Sequence, residues 1–236
     1  MRLTALLFLL LTAPSLGAAA APQPLRVAVT ASFKATLQSI SRQFEQQSGI
    51  RVVFSSASTG VLASQINHGA PFDLFFAADR ETPFKLKLSG QHSAGKPFCY
   101  ATGRLALAGA SNKLTDLAQP DLSLAIANPT TAPYGRAAME VLSRAEFTTG
   151  ESRKLVRGSN VIQAYQFWHS GAVDLALIPQ AIAPASATII PAVWHQPLEQ
   201  HAVLLRHSPN ADAYLKWLRS DNVRTLITQA GYEPCP

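Results

Sequence analysis

Between residues 25 and 77 the chain alternates strand-like and helix-like runs, and that order leaves few folds open. Leu25 to Thr30 is a short apolar run. Phe33, Leu37, Ile40 and Phe44 then fall at offsets of 0, 4, 7 and 11, one face of an amphipathic helix. Gly49 supplies the glycine that ends such a helix. Residues 50–55 form a second strand, about 59–68 a second helix closed by Gly69, and Asp73 to Ala77 a third strand. The series β-α-β-α-β with helical crossovers predicts a parallel sheet covered by helices on both faces.

The middle of the chain repeats this logic less regularly. Arg104 to Gly109 and Leu122 to Ala127 are strand-like, and a helix is predicted from about Tyr134 to Ser143. Val161, Ala164, Tyr165 and Trp168 mark another helix, closed by Gly171 before a strand from Val173 to Ile178. Residues 179–192 read as irregular or as a short helix. His201 to Arg206 reads as a strand, and Asp212 to Leu218 and Val223 to Ala230 as helices. No repeat of fixed period is visible. Two α/β lobes with parallel-rich sheets fit this order better than one sheet. The expected division is a leader over 1–21, a first lobe over 22–105, a second over 106–198, and a return to the first over 199–236.

The leader is read from Arg2, the apolar run Leu3 to Leu11, and the small residues Ala18 to Ala21. A positive start, a short apolar core and small residues describe a secretory signal peptide, with cleavage between Ala19 and Ala21. The apolar run is shorter than the about 20 residues of a membrane span. A periplasmic, exported chain is therefore expected. Such a compartment permits disulfides, so Cys99 and Cys235 are expected to pair, the alternative being two unpaired thiols. Formal net charge is +6, and it falls to +5 once Arg2 is removed, leaving 19 basic against 14 acidic residues. The densest basic cluster is Arg153-Lys154 with Arg157 nearby, too sparse for a nucleic-acid face. No nucleic-acid partner is expected, and the chain is expected to be a monomer.

The functional signal lies where strands turn into helices. A helix N-terminus carries unpaired N–H groups and a partial positive charge, which makes it an anion site. Several such junctions hold small hydroxyl or amide residues: Thr30-Ala31-Ser32, Ser58-Thr59-Gly60, Ala132-Pro133-Tyr134-Gly135 and Ser159-Asn160-Val161. Each alone is explained by helix capping, for which serine, threonine and asparagine are favoured. Together, in an exported two-lobed chain, they describe a cage of neutral donors.

The stretches "SSASTG", "GAPFDLFFAAD" and "NPTTAPYG", in this order and spacing, resemble the periplasmic molybdate-binding protein family, receptors of ABC importers for oxyanions. The resemblance runs through nearly the whole mature chain. It implies a two-lobe periplasmic binding protein of type II-like fold, α/β, with the ligand cleft between the lobes. It implies molybdate or tungstate as ligand, no cofactor, no enzyme activity, and an inner-membrane ABC permease as partner. Carried over residue by residue, it implies anion donors at Ser32, Thr59, Tyr134 and Val161, with Ser58 a further candidate. Some members add a tyrosine at the position of Pro179 here, which has neither hydroxyl nor N–H. The Tyr134 hydroxyl is expected to replace that donor. A donor-only site suits a fully ionised anion, because a protonated one needs an acceptor for its proton.

Other readings are weaker. No GxSxG or SxxK motif supports a serine hydrolase. His195, His201 and His207, or Tyr134, Tyr165 and Tyr232, could in principle serve a metal receptor, but the histidines span Pro197 and a turn. Asp73, Asp79, Arg80 and Glu81 are read as the polar ends of a buried strand near the cleft or capping the next helix. A receptor for sulfate or another oxyanion is the nearest alternative, and an adhesion or signalling module the remaining one. Replacing Tyr134 by Phe is expected to weaken anion binding by about 1.5–3 kcal/mol, the value of a hydrogen bond to a charged group, measured by titration calorimetry.

Overall fold

The computed structural model describes residues 23–88 and 94–236. The expected leader and its cleavage point lie outside the described residues. In chain order the elements are β1 (Leu25–Thr30), α1 (Lys34–Ser48), β2 (Val52–Ala57), α2 (Thr59–Asn67), β3 (Leu74–Phe76), α3 (Glu81–Leu88), β4 (Phe98–Gly103), β5 (Leu105–Gly109), β6 (Leu124–Ala127), α4 (Pro133–Leu142), β7 (Leu155–Gly158), α5 (Val161–His169), β8 (Leu175–Pro179), β9 (Thr188–Ile189), β10 (Leu198–Leu204), α6 (Pro209–Leu218) and α7 (Asp221–Gln229). Helix α1 ends as anticipated: Gly49 takes the left-handed conformation at φ 70° and its N–H closes onto the Glu45 carbonyl.

The strands form two five-stranded sheets, ordered β2-β1-β3-β10-β4 and β7-β6-β8-β5-β9. The chain passes from the first sheet to the second at Arg104 and returns between β9 and β10. In the first sheet β2, β1 and β3 are parallel, and β10 is antiparallel to both β3 and β4. In the second, β7, β6 and β8 are parallel, and β5 is antiparallel to β8 and β9. Each sheet is therefore mixed but parallel-rich, as expected: four of its five strands run one way and one, β10 or β5, runs against them. The antiparallel strands β10 and β5 are the ones that enter from the other sheet, so no helical crossover on the same sheet sets their direction. The two sheets share one arrangement, three parallel strands followed by an incoming antiparallel one, without any sequence repeat.

Alternation along the strands shows why helices cover both faces. In β1, Val27 and Val29 face a cluster with Phe33, Leu37, Ile40 and Phe44, while Ala28 faces Leu62 and Ile66 on the opposite side. In the second sheet, Leu124 and Ile126 pack with Tyr134, Ala137, Ala138 and Val141, and Ala125 with Ala164. A strand buried on both faces reads as a continuous apolar run, which is how β5 and β8 appear in the sequence, and β1 over Val27 to Val29.

Strands β4, β7 and β9 are not read from the sequence, and the helix after β3 is read only as one that Asp79 to Glu81 could cap, without bounds. The α3 sequence ETPFKLKL has no strong apolar periodicity. Strand β4 owes its place to pairing with β10, whose register joins Ala101 to Gln200 far along the chain. Cys99 on β4 is bonded to Cys235 near the C-terminus, across a sequence separation of 136 residues. That tie and the pairing of Thr102 with Glu233 anchor the C-terminal segment to the edge of the first sheet. Closing so long a loop restricts the unfolded chain, by about 4–5 kcal/mol at most in the chain-entropy model. Reduction of Cys99–Cys235 is expected to lower the unfolding free energy measured by denaturant titration by up to that amount, with the native fold retained.

Candidate oxyanion site

Parallel pairing places the helix starts. Thr30 on β1 pairs with Ala57 on β2, and the Ala31 N–H continues the ladder to the Ala57 carbonyl at 2.9 Å. The loop before α1 and the start of α2 therefore leave the first sheet side by side. In the second sheet Ala127 pairs with Gly158, and the Asn128 N–H reaches the Gly158 carbonyl at 2.7 Å. The starts of α4 and α5 are brought together in the same way. The two pairs meet: the Gly60 N–H donates to the Thr131 carbonyl at 2.9 Å, and Ala31 and Ala78 pack in one apolar cluster with Ala132, Tyr134 and Val161.

Ser32, Ser58, Thr59, Tyr134 and Val161 are all buried. The serines separate from ordinary caps by what their hydroxyls do. Asn160 caps α5, accepting from the N–H groups of Ile162 and Gln163, and Ser208 and Ser220 cap α6 and α7. Ser58 stands at the N-cap of α2 but accepts from no helix N–H. Its Oγ and that of Ser32 are buried without a hydrogen-bond partner. A buried hydroxyl left unpaired is disfavoured by about 1–3 kcal/mol. Both of these hydroxyls belong to the converging helix starts.

Thr59 is held differently. Its Oγ1 accepts from the Ala78 N–H at 3.0 Å, and the nearest acceptor for its own proton, Thr30 Oγ1, lies at 3.4 Å. That second contact is long for O–H···O, so the proton can turn to a better acceptor. Val161 is the first residue of α5, and the Asn160 side chain takes the next two N–H groups, which leaves the Val161 N–H outside the cap. Tyr134 is the second residue of α4, behind Pro133. Gly135 allows α4 to start against the strand end: a Cβ there would stand 2.3 Å from the Ala127 carbonyl oxygen.

The Tyr134 hydroxyl accepts from Gln200 Nε2 at 3.0 Å. Gln200, on β10 and fully buried, in turn accepts from the Tyr100 hydroxyl at 2.8 Å. The Tyr232 hydroxyl donates to the Ser32 carbonyl at 2.6 Å. Nothing in the local sequence marks Gln200 or Tyr232 as neighbours of the site, because both arrive from the C-terminal return. Of the tyrosines weighed for a metal, Tyr134 and Tyr232 are thus spoken for in this network, and Tyr165 stacks on His169. Among the described residues no group of three His, Cys, Asp or Glu could hold a metal ion.

A cleft of ≈ 540 Å³ adjoins the junctions, lined by Ala31, Lys34, Ser56, Ser159, Asn160 and Gln163 among others. Asp79 lies at the end of the first sheet, where its carboxylate accepts from the Thr82 N–H and pairs with Arg136 of α4. Burial pushes the Tyr100, Tyr134 and Tyr232 phenols well above their ordinary range. They remain neutral donors or acceptors throughout the physiological range. In the unfolded chain they would ionise near pH 10, so the unfolded state releases protons first and stability falls as pH rises above about 10. Thermal midpoints measured from about pH 8 to pH 11 are expected to drop steeply over the upper part of that interval, less so in Tyr232→Phe.

Two mixed α/β sheets, with donor-rich helix starts converging from both, define a two-lobe solute-binding protein. The chain belongs to the bacterial extracellular solute-binding protein family, whose model matches residues 25–233. It is 36% identical over 233 residues to the molybdate-binding protein ModA of Azotobacter vinelandii, covering 92% of each chain. It is 33% identical over 217 residues to the ModA protein of Rhodobacter capsulatus, covering 87% of this chain and 86% of that one. Its fold is similar to the solved Azotobacter vinelandii periplasmic molybdate-binding protein, with a TM-score of 0.82 at 34% identity over 90% of this chain and all of that one.

Proposed function

We propose that the protein is a periplasmic receptor that binds molybdate, and also tungstate, and delivers it to an inner-membrane ABC permease. It acts as a monomer and catalyses no reaction. The observation that carries this reading is the pair of buried, unpartnered hydroxyls of Ser32 and Ser58 where four helix starts meet. Beside them the Thr59 hydroxyl has a proton with only a long contact. The N–H groups of Ser32, Thr59, Tyr134 and Val161 complete a cage of neutral donors.

Such a cage suits a tetrahedral dianion with no proton to place. Neutral donors and helix N-termini stabilise the charge without a buried guanidinium, so the anion is held but can leave. Selection of molybdate over sulfate then rests on cage size, since both are tetrahedral dianions with the same hydrogen-bonding needs. Ser32 and Thr59 belong to a first lobe and Tyr134 and Val161 to a second, with the crossings near 104 and 190–198 acting as the hinge. An anion that touches both lobes favours the closed form by its extra contacts. In this arrangement the Gln200 amide fixes the Tyr134 ring, and the hydroxyl, accepting from Gln200, keeps its own proton for donation.

Calorimetry on the mature, ligand-stripped protein tests the reading. Tight one-to-one binding of molybdate with weak binding of sulfate is expected. Silence with molybdate and heat with sulfate would overturn the substrate and keep the receptor. Ser32→Ala, Ser58→Ala and Thr59→Val are each expected to weaken molybdate binding by about 1.5–3 kcal/mol. Full affinity in all three would return these hydroxyls to a local structural role.

A further inference from the structure

We infer that Asp79 and Arg136 form a latch across the cleft that sets how long the bound anion is retained. The inference rests on the receptor reading above and concerns residues that do not themselves touch the anion. Arg136 Nη2 lies 2.8 Å from Asp79 Oδ2. Asp79 follows β3 of the first sheet, and Arg136 is in the first turn of α4, over the second. The pair therefore joins the two halves that must separate for the ligand to leave.

Both ends are tied to the proposed donors. Ala78, the neighbour of Asp79, gives its N–H to Thr59 Oγ1 and packs with Tyr134 and Val161. Arg136 follows Tyr134 by two residues on the same helical turn. A movement that pulls Arg136 from Asp79 thus also draws α4 away from the α2 start, where the Gly60 N–H meets the Thr131 carbonyl.

The carboxylate is preset for this role. Asp79 Oδ1 accepts from the Thr82 N–H at 3.0 Å, and Oδ2 from the Thr82 hydroxyl at 3.1 Å. These bonds at the start of α3 hold the acceptor in place whether or not Arg136 is present, so little ordering is needed when the latch closes. The arginine is placed less comfortably. A cation in the first turn of a helix opposes the helix dipole. An anionic partner offsets that repulsion, and Asp79 supplies one in the closed form. Asp79 is 14% exposed and Arg136 44%, so the pair is screened less than one fully in water.

The experiment pairs stopped-flow release of molybdate with amide hydrogen exchange on the ligand-free protein. Arg136→Gln is expected to release molybdate about tenfold faster, equivalent to about 1.4 kcal/mol, with the association rate little changed. Raising salt to about 0.5 M is expected to accelerate release from the unmodified protein more than from the variant. Arg136→Lys is expected to restore most of the retention, because a single Nη2 contact needs a point charge and no fork. Arg136 is the informative partner, since Asp79 also caps α3. Gly60 reads closure without any ligand, through its bond across the cleft. Its amide is expected to exchange faster in Arg136→Gln while amides within α1 and β1 stay unchanged. Unchanged Gly60 exchange overturns the latch, whatever the release rate does. Absence of molybdate binding to the unmodified protein overturns the receptor reading instead, and the Gly60 exchange still decides the latch.

Discussion

The parallel ladders between β1 and β2 and between β6 and β7 are the constraint on which the rest depends. Parallel strands end at the same edge, so the helices that follow them begin together. Each helix start brings N–H groups that its own backbone cannot satisfy. Ala31 N–H bonded to Ala57, and Asn128 N–H bonded to Gly158, extend the ladders one step past the strands and bring the starts into line. A site assembled this way needs no charged side chain, because backbone geometry supplies the positive potential. Small hydroxyl residues at the same junctions add donors without filling the space.

The strands that return from the opposite sheet complete the arrangement. Strand β10 carries Gln200 beneath α4, and the C-terminal segment carries Tyr232 beneath Ser32. Buried polar groups of this kind hold their neighbours in one place because an unpaired alternative is disfavoured. The disulfide at Cys99 and the pairing of Thr102 with Glu233 keep that segment against the first sheet. Support for the site thus comes from the C-terminal part of the chain, distant from it in sequence.

Local pattern carries much of this. The apolar face of α1 and the glycine that ends it, the β-α-β-α-β order, and the continuous apolar runs of the buried strands are all short-range signals. The four helix-start junctions are legible because helix starts have a recognisable residue usage, whereas Ser32, Thr59, Tyr134 and Val161 as donors are implied by the family resemblance. That usage could not tell a cap from a ligand donor. Asn160 and Ser58 occupy the same kind of position, yet the Asn160 side chain is consumed by α5 and the Ser58 hydroxyl is not. The antiparallel direction of β5 and β10 was likewise hidden, since nothing in a strand's own residues records which sheet it enters from. The extent of α3 is not legible because its sequence lacks a strong apolar stripe.

The amino-acid sequence by itself determined the β1-α1-β2-α2-β3 run of the first sheet, the two-lobed α/β class, the small neutral residues at the helix starts, and the two cysteines that can pair. These follow from propensity, periodicity and composition, which act over a few residues. Tertiary structure alone decided which hydroxyls remain without partners, which way the Tyr134 hydroxyl is held, and that Asp79 meets Arg136. Each of those depends on atoms brought together from 57 or more positions apart in the chain, or on a cap bond not being made. Hydrogen bonds and ion pairs act over a few ångströms in space and take no account of distance along the chain, so only the folded backbone can say which of them form.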